Sequence, residues 1–316
     1  MESQLITTDY RFKVSATSIC MTEVKEWTGE SPKKNRTIQH ENLKNNSTRG
    51  VLSKKSVKRL KQAVNWIVIS SQDKIVYSMK SNVQFRFKVN FITLTIPPQN
   101  NTHINEKQFK QLLNTWLTYH RKYSNLNNYV WKLETHKDGR LHIHITTDRF
   151  LHWKSINSTW NNILRRNGLL EEHYRKHKNY SPNSTDVHSV KKIKKIGAYI
   201  SKYMSKNNKE NPMFNGRVWG CSSKISKVLN NTTYISPDII GKVMKPIIAS
   251  KAKLIEVSTE PNIFGRTYKV ADIYLMNVKD WVSIKGSVIY NIFKELILYL
   301  RHGDMSNRQV NLDFLM

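Results

Sequence analysis

The stretch Tyr129-Val130-Trp131-Lys132-Leu133-Glu134-Thr135-His136-Lys137-Asp138-Gly139-Arg140-Leu141-His142-Ile143-His144-Ile145-Thr146-Thr147 reads as two strands joined by a turn. Successive side chains of a strand point to opposite faces. Leu141, Ile143 and Ile145 therefore share one face and His142 and His144 the other. In the preceding strand Tyr129, Trp131 and Leu133 share a face, and Val130, Lys132 and Glu134 share its opposite. Asp138-Gly139 marks the turn. A three-residue loop, Lys137-Asp138-Gly139 with Gly139 left-handed, sets His136 opposite Arg140 and Glu134 opposite His142. A two-residue turn would flip Glu134 away from the histidines. With the longer loop, Glu134 joins His142 and His144 on one face, because directly paired residues share a face. Two imidazoles and one carboxylate suit Mg²⁺ or Mn²⁺ in the cell, bind Zn²⁺ or Co²⁺ in vitro, and leave positions for water and a phosphate oxygen. His136, Asp186 and His188 are further candidate ligands. Eleven histidines in 316 residues give roughly 0.4 His-x-His pairs by chance, so the pair gains meaning only from its setting.

Outward from this hairpin the chain alternates strand and helix signals. Residues 85–96 alternate apolar and polar and stop at Pro97-Pro98, which reads as one half-buried strand. Asn105 and Gln108 form a capping box for a helix from Glu106, whose buried face is Phe109, Leu112, Leu113, Trp116 and Leu117. An earlier helix spans Lys54 to Ser70, with Val57, Leu60, Val64, Ile67 and Val68 as its stripe. Lys54, Lys55, Lys58, Arg59 and Lys61 crowd the start of that helix, against the helix dipole, and serve either phosphate contact or a solvated face. Helices follow near Ser155–Arg166 and Lys192–Lys206. Ile289, Ile292, Phe293, Leu296 and Leu300 fall at helical spacing and predict a buried amphipathic helix near the C-terminus. The expected class is α+β with an antiparallel central sheet flanked by helices. The expected division is an extension over 1–50, linker-like over Ser31–Gly50, a domain over 51–225 and a C-terminal region over 226–316.

A second motif lies at Tyr199-Ile200-Ser201-Lys202-Tyr203-Met204-Ser205-Lys206. Tyr199 and Tyr203 are one helical turn apart, each followed three residues later by a lysine. Gly197-Ala198 allows another backbone to come close. Lys191, Lys192, Lys194 and Lys195 precede the pair, and Lys202 and Lys206 interleave with it, six lysines in sixteen residues. A wholly buried helix does not carry that many, so these lysines are candidate nucleic-acid contacts. A phenol has an ordinary pKa near 10, and neighbouring ammonium groups favour the phenolate that can attack phosphorus.

Bulk composition agrees with a polyanionic partner. Lys plus Arg number 52 against 23 for Asp plus Glu, a net charge of +29. Each phosphate neutralised releases counterions, so such a chain favours nucleic acid. A membrane is not expected: Val288–Leu300 is too short to span one and is broken by Asn291, Lys294 and Glu295. Cys20 and Cys221 alone make no disulfide framework, which fits a reducing cytoplasm. No Gly-x-x-x-x-Gly-Lys-Ser/Thr loop is present, so duplex unwinding falls to another protein.

Taken together, Thr93-Leu94-Thr95, His142-Ile143-His144 and Tyr199–Lys206 resemble the three ordered motifs of the HUH endonucleases. More narrowly, they resemble two-tyrosine rolling-circle replication initiators of the small single-stranded-DNA phage type. The tyrosines follow the histidines here, whereas conjugative relaxases usually place them before. The resemblance covers residues 50 to 225 and implies a layout like the RNA-recognition fold. It maps the metal ligands onto His142, His144 and Glu134, the catalytic tyrosines onto Tyr199 and Tyr203, and the auxiliary lysines onto Lys202 and Lys206. It implies Mg²⁺ or Mn²⁺, single-stranded or origin DNA as substrate, and a separate helicase and DNA polymerase in the host cytoplasm. Gly216-Arg217-Val218-Trp219-Gly220 also looks like a segment that follows the tyrosine helix in phage-type initiators. Polar Thr146-Thr147 departs from the hydrophobic flank the family shows after its histidines. A transposase or relaxase would share the site, and a basic nucleic-acid-binding protein without catalysis would share the charge. Trp131, Trp153 and Trp160 are either core residues or platforms for stacked bases.

Overall fold

A computed structural model describes residues 5–27, 52–78, 83–98, 104–135, 140–189, 200, 204, 216–231, 233–235, 253–255, 273–277 and 288–303. The chain forms two compact units, one from residues 1–45 with 227–316 and one from residues 46–226.

The first unit begins with an antiparallel hairpin, β1 (Leu5–Val14) and β2 (Ser18–Trp27), in the segment that sequence alone reads only as an extension. Ser15 and Ser18 close its turn, the Ser15 hydroxyl bonding to Ser18.

The second unit opens with α1 (Lys54–Ser70). Ser53 caps it by accepting the Ser56 N–H at 3.1 Å, and the hydroxyls of Ser70 and Ser71 take up carbonyls of its last turn. A separate hairpin follows, β3 (Lys74–Ser78) with β4 (Val83–Phe87). Next come β5 (Asn90–Thr95), α2 (Glu106–Ser124), β6 (Tyr129–Thr135), β7 (Leu141–Thr147), α3 (Trp153–Arg166), α4 (Glu171–His177), β8 (Thr185–Ser189), β9 (Trp219–Cys221) and α5 (Ser223–Leu229). The expected capping box is present: Gln108 N–H donates to Asn105 at 2.9 Å and Asn105 N–H to the Gln108 side chain at 3.0 Å. Helix α2 stops where Asn125 turns left-handed, with φ 53°.

The central sheet runs β8-β5-β7-β6-β9, antiparallel throughout. This is the α+β class expected. On one face Ile92, Leu94, Leu133, Ile143 and Ile145 pack against Phe109, Leu113 and Trp116 of α2 and Ile156, Trp160 and Leu164 of α3. The Trp160 indole N–H donates to the Thr95 carbonyl at 2.9 Å and ties α3 to the end of β5. Helix α1 packs against β6, β7 and β9.

The structure corrects two readings. Residues 85–96 are not one strand: Val83–Phe87 pairs with β3, whereas Asn90–Thr95 pairs with β7 and β8. Alternation reports which way side chains point, not which backbone supplies the hydrogen bonds. Of the tryptophans weighed as core residues, Trp160 is fully buried and Trp131 packs against the core, but Trp153 is 58% exposed. It sits at the first position of α3, ahead of the helix's buried stripe.

The first unit is completed by β10 (Thr233–Ile235), β11 (Lys253–Ile255), β12 (Ile273–Asn277) and α6 (Val288–His302). Its sheet runs β10-β1-β2-β12-β11, antiparallel throughout. Helix α6 is the expected amphipathic helix, with Ile292, Leu296 and Leu300 buried. Among the described residues no helix is long and apolar enough to cross a membrane.

Candidate metal centre

The pairing of β6 with β7 sets Glu134 opposite His142 and Lys132 opposite His144. That is the register the three-residue loop requires; His136 and the loop itself lie outside the described residues. Strand β5 adds Thr95 opposite His142 and Thr93 opposite His144. Three neighbouring strands thus bring their polar side chains to one face, while Leu133, Ile143 and Leu94 hold the other against the core.

Ligand atoms of Glu134, His142 and His144 all lie within 4.8 Å of one another. Glu134 Oε2 is 3.4 Å from His142 Nε2 and 3.3 Å from His144 Nε2. Its other oxygen, Oε1, accepts a hydrogen bond from the Lys132 ammonium. Burial raises the carboxyl pKa, but hydrogen bonds from His142 and His144 and the charge of Lys132 outweigh it. The net effect holds Glu134 well below the usual carboxylate range. A carboxylate ionised and directed in this way is ready to bind a cation.

The imidazoles are held from behind. Thr93 Oγ1 lies 3.0 Å from His144 Nδ1, and the Phe91 ring stacks on His144 at 5.1 Å between centroids. If Nδ1–H donates to the threonine, the Nε2 lone pair is left facing Glu134, the tautomer a metal ligand needs. The first sequence motif therefore divides its work: Thr93 orients a histidine, Leu94 is core, and the Thr95 carbonyl anchors α3.

Lys132 was not singled out by sequence, since a lysine on an amphipathic strand reads as a solvated residue. Here it is only 3% exposed and belongs to the candidate centre. The Lys132–Glu134 spacing of two on a strand was the available signal. Asp186 lies opposite Thr93 on β8, so on this face, but outside the cluster of ligand atoms. The backbone of His188 lies opposite Phe91. Ile200 and Met204 are helical, four residues apart and buried, in line with a helix at the tyrosine motif. Tyr199, Tyr203, Lys202, Lys206, Lys191, Lys192, Lys194 and Lys195 lie outside the described residues.

An antiparallel α+β domain with a His-x-His strand and a facing glutamate is the class that fold and site define. Residues 89–208 match the family model of the replication-associated protein ORF2, which supports a protein of the replication-initiator type. No curated protein matches the chain. Among solved structures, the hypothetical protein ORF119 from Sulfolobus islandicus rod-shaped virus 1 is similar over 48% of this chain and 96% of its own, at 18% identity and a TM-score of 0.27.

Proposed function

We propose that this protein is a metal-dependent, site- and strand-specific DNA nickase that starts rolling-circle replication, an HUH endonuclease of the two-tyrosine kind. The observation that carries the reading is the convergence of Glu134, His142 and His144 on one sheet face. Two imidazole nitrogens and one ionised carboxylate oxygen fit a divalent cation such as Mg²⁺ or Mn²⁺. A cation bound there would polarise the scissile phosphate and favour in-line attack.

The chain's own residues account for the rest. Thr93 fixes the His144 ring, and Lys132 engages one carboxylate oxygen of Glu134 so that the other faces the histidines. Tyr199 or Tyr203 supplies the nucleophile, and Lys202 and Lys206 favour its phenolate. The phenolate oxygen bonds to phosphorus, the P–O3′ bond breaks, and the departing 3′ oxygen takes up a proton. The product is a 5′-phosphotyrosine and a free 3′-hydroxyl, from which a separate polymerase extends. The ester conserves the energy of the broken bond, so the second tyrosine can cut again and rejoin a circle without ATP. Lys191, Lys192, Lys194 and Lys195 contact phosphates. The substrate is single-stranded or locally melted origin DNA, a separate helicase opens the duplex, and the reaction takes place in the cytoplasm.

Purified protein is incubated with Mn²⁺ and labelled single-stranded oligonucleotides and run on a denaturing gel. The expected result is a protein–DNA band that survives denaturation, disappears with EDTA, and is lost when Tyr199→Phe and Tyr203→Phe are combined. Tight binding with no such band across origin-bearing oligonucleotides would leave a DNA-binding protein without catalysis.

A further inference from the structure

The segment Gly216-Arg217-Val218-Trp219-Gly220 has no part in the chemistry proposed above. Three of its residues have structural reasons. Gly216 has φ 141°, where other residues are strained. Val218 is buried in the core cluster, and its carbonyl accepts the Leu133 N–H at 2.8 Å. Gly220 lies under Trp131, and a Cβ there would come within 2.8 Å of the indole. Arg217 and Trp219 are left over.

Side chains alternate along β9. Val218 and Gly220 take the core face, so Arg217, Trp219 and Cys221 take the face of the metal ligands. Trp219 pairs directly with Lys132, which pairs with His144. The Leu133–Val218 hydrogen bond continues that ladder and sets Arg217 across from Glu134. The Arg217 charge also acts on the Cys221 thiol, as it must if both lie on one face. One row across the sheet therefore reads Trp219, Lys132, His144, Thr93 and the next Arg217, Glu134, His142, Thr95. Arg217 is exposed; Trp219 is half-buried, with part of its surface packed against the apolar cluster. An aromatic ring held on one side, beside a guanidinium, matches a base and its phosphate in a single strand. The net charge of +29 supplies the complementary field.

We propose that Arg217 and Trp219 form a nucleotide subsite at the β9 edge of the metal-bearing face. The Trp219 indole stacks on a base of single-stranded DNA and Arg217 pairs with the adjoining phosphate, so the strand crosses β9 on its way to the metal centre. This rests on the reading that this face handles single-stranded DNA.

The test is fluorescence anisotropy of the full-length protein with a labelled oligothymidylate of about 15 nucleotides, in EDTA so that no cleavage intervenes. Trp219→Ala should weaken binding roughly 5- to 100-fold and Trp219→Phe far less, because a phenyl ring still stacks. Arg217→Gln should lower the salt dependence by about one phosphate contact. A duplex of the same length should be bound equally by wild type and Trp219→Ala. The inference is overturned if Trp219→Ala binds the single strand as wild type does, if Phe loses as much as Ala, or if duplex binding falls equally. Should either of the first two results accompany an intact tyrosine adduct, the nickase reading stands and only the subsite falls. Failure of the wild type to bind the single strand at all would remove both.

Discussion

Thr93 Oγ1 lies 3.0 Å from His144 Nδ1, across the directly paired strands β5 and β7. The contact governs which nitrogen of His144 is free to bind a cation. Thr93→Val keeps the side-chain shape and removes the hydroxyl. Mn²⁺ affinity, measured by titration calorimetry, should fall roughly 10- to 100-fold, the usual cost of removing such a supporting bond. An unchanged affinity would show that the hydroxyl does not orient the ring.

Glu134 supplies the only carboxylate oxygen in the described cluster. Mn²⁺ at about 100 times its dissociation constant should add roughly 2.7 kcal/mol to the stability of the wild type, a rise of several degrees in Tm that EDTA reverses. Glu134→Gln should abolish most of that rise while the protein stays folded. An equal rise in wild type and variant would place the ion elsewhere.

His120 is buried in α2, its ring 4.2 Å from that of Trp116 and its Nδ1 3.0 Å from the Ser124 hydroxyl. No partner among the described residues reaches its Nε2. Burial pushes its pKa down to about 4 from the ordinary 6.5. Between those pH values the unfolded chain holds the proton and the folded protein does not. Stability is therefore unaffected above pH 6.5 and declines as pH falls towards 4, by about 3 kcal/mol in all. His120→Phe should flatten the fall of Tm with pH over that window. An unaltered slope would assign the acid sensitivity to other groups.

Gly220 leaves no room for a side chain beneath Trp131. Gly220→Ala should cost about 1–3 kcal/mol through overpacking, read as a lower midpoint in urea. A midpoint equal to wild type would mean that the indole moves aside freely.

Cys221 is half-buried, and burial pushes its thiol up to about 11 against the opposing charges of Arg59 and Arg217. In a Cys20→Ser background the protein should react with a thiol reagent at pH 8 much more slowly when folded than in urea, because little thiolate is present. Equal rates would show that the thiol is accessible and ionised.

Much of the candidate centre could be read from residue order alone. Alternation put His142 and His144 on one face, and a Gly-containing turn of the right length put Glu134 beside them, because strand periodicity and hairpin register are local properties. The Asn105–Gln108 cap, the stripe of α2 and the C-terminal amphipathic helix were legible for the same reason. What required the tertiary structure was every relation between distant segments. Lys132 could be recognised as part of the centre only once β6 was flanked by β7 and β9, which removes its ammonium from water and leaves Glu134 as its counter-charge. The break between β4 and β5 was invisible because alternation carries no record of hydrogen-bond partners. Likewise, the pairing of residues near the N-terminus with β10 and β12 joins strands more than two hundred residues apart. Such contacts follow from whole faces burying one another, and no local period encodes them.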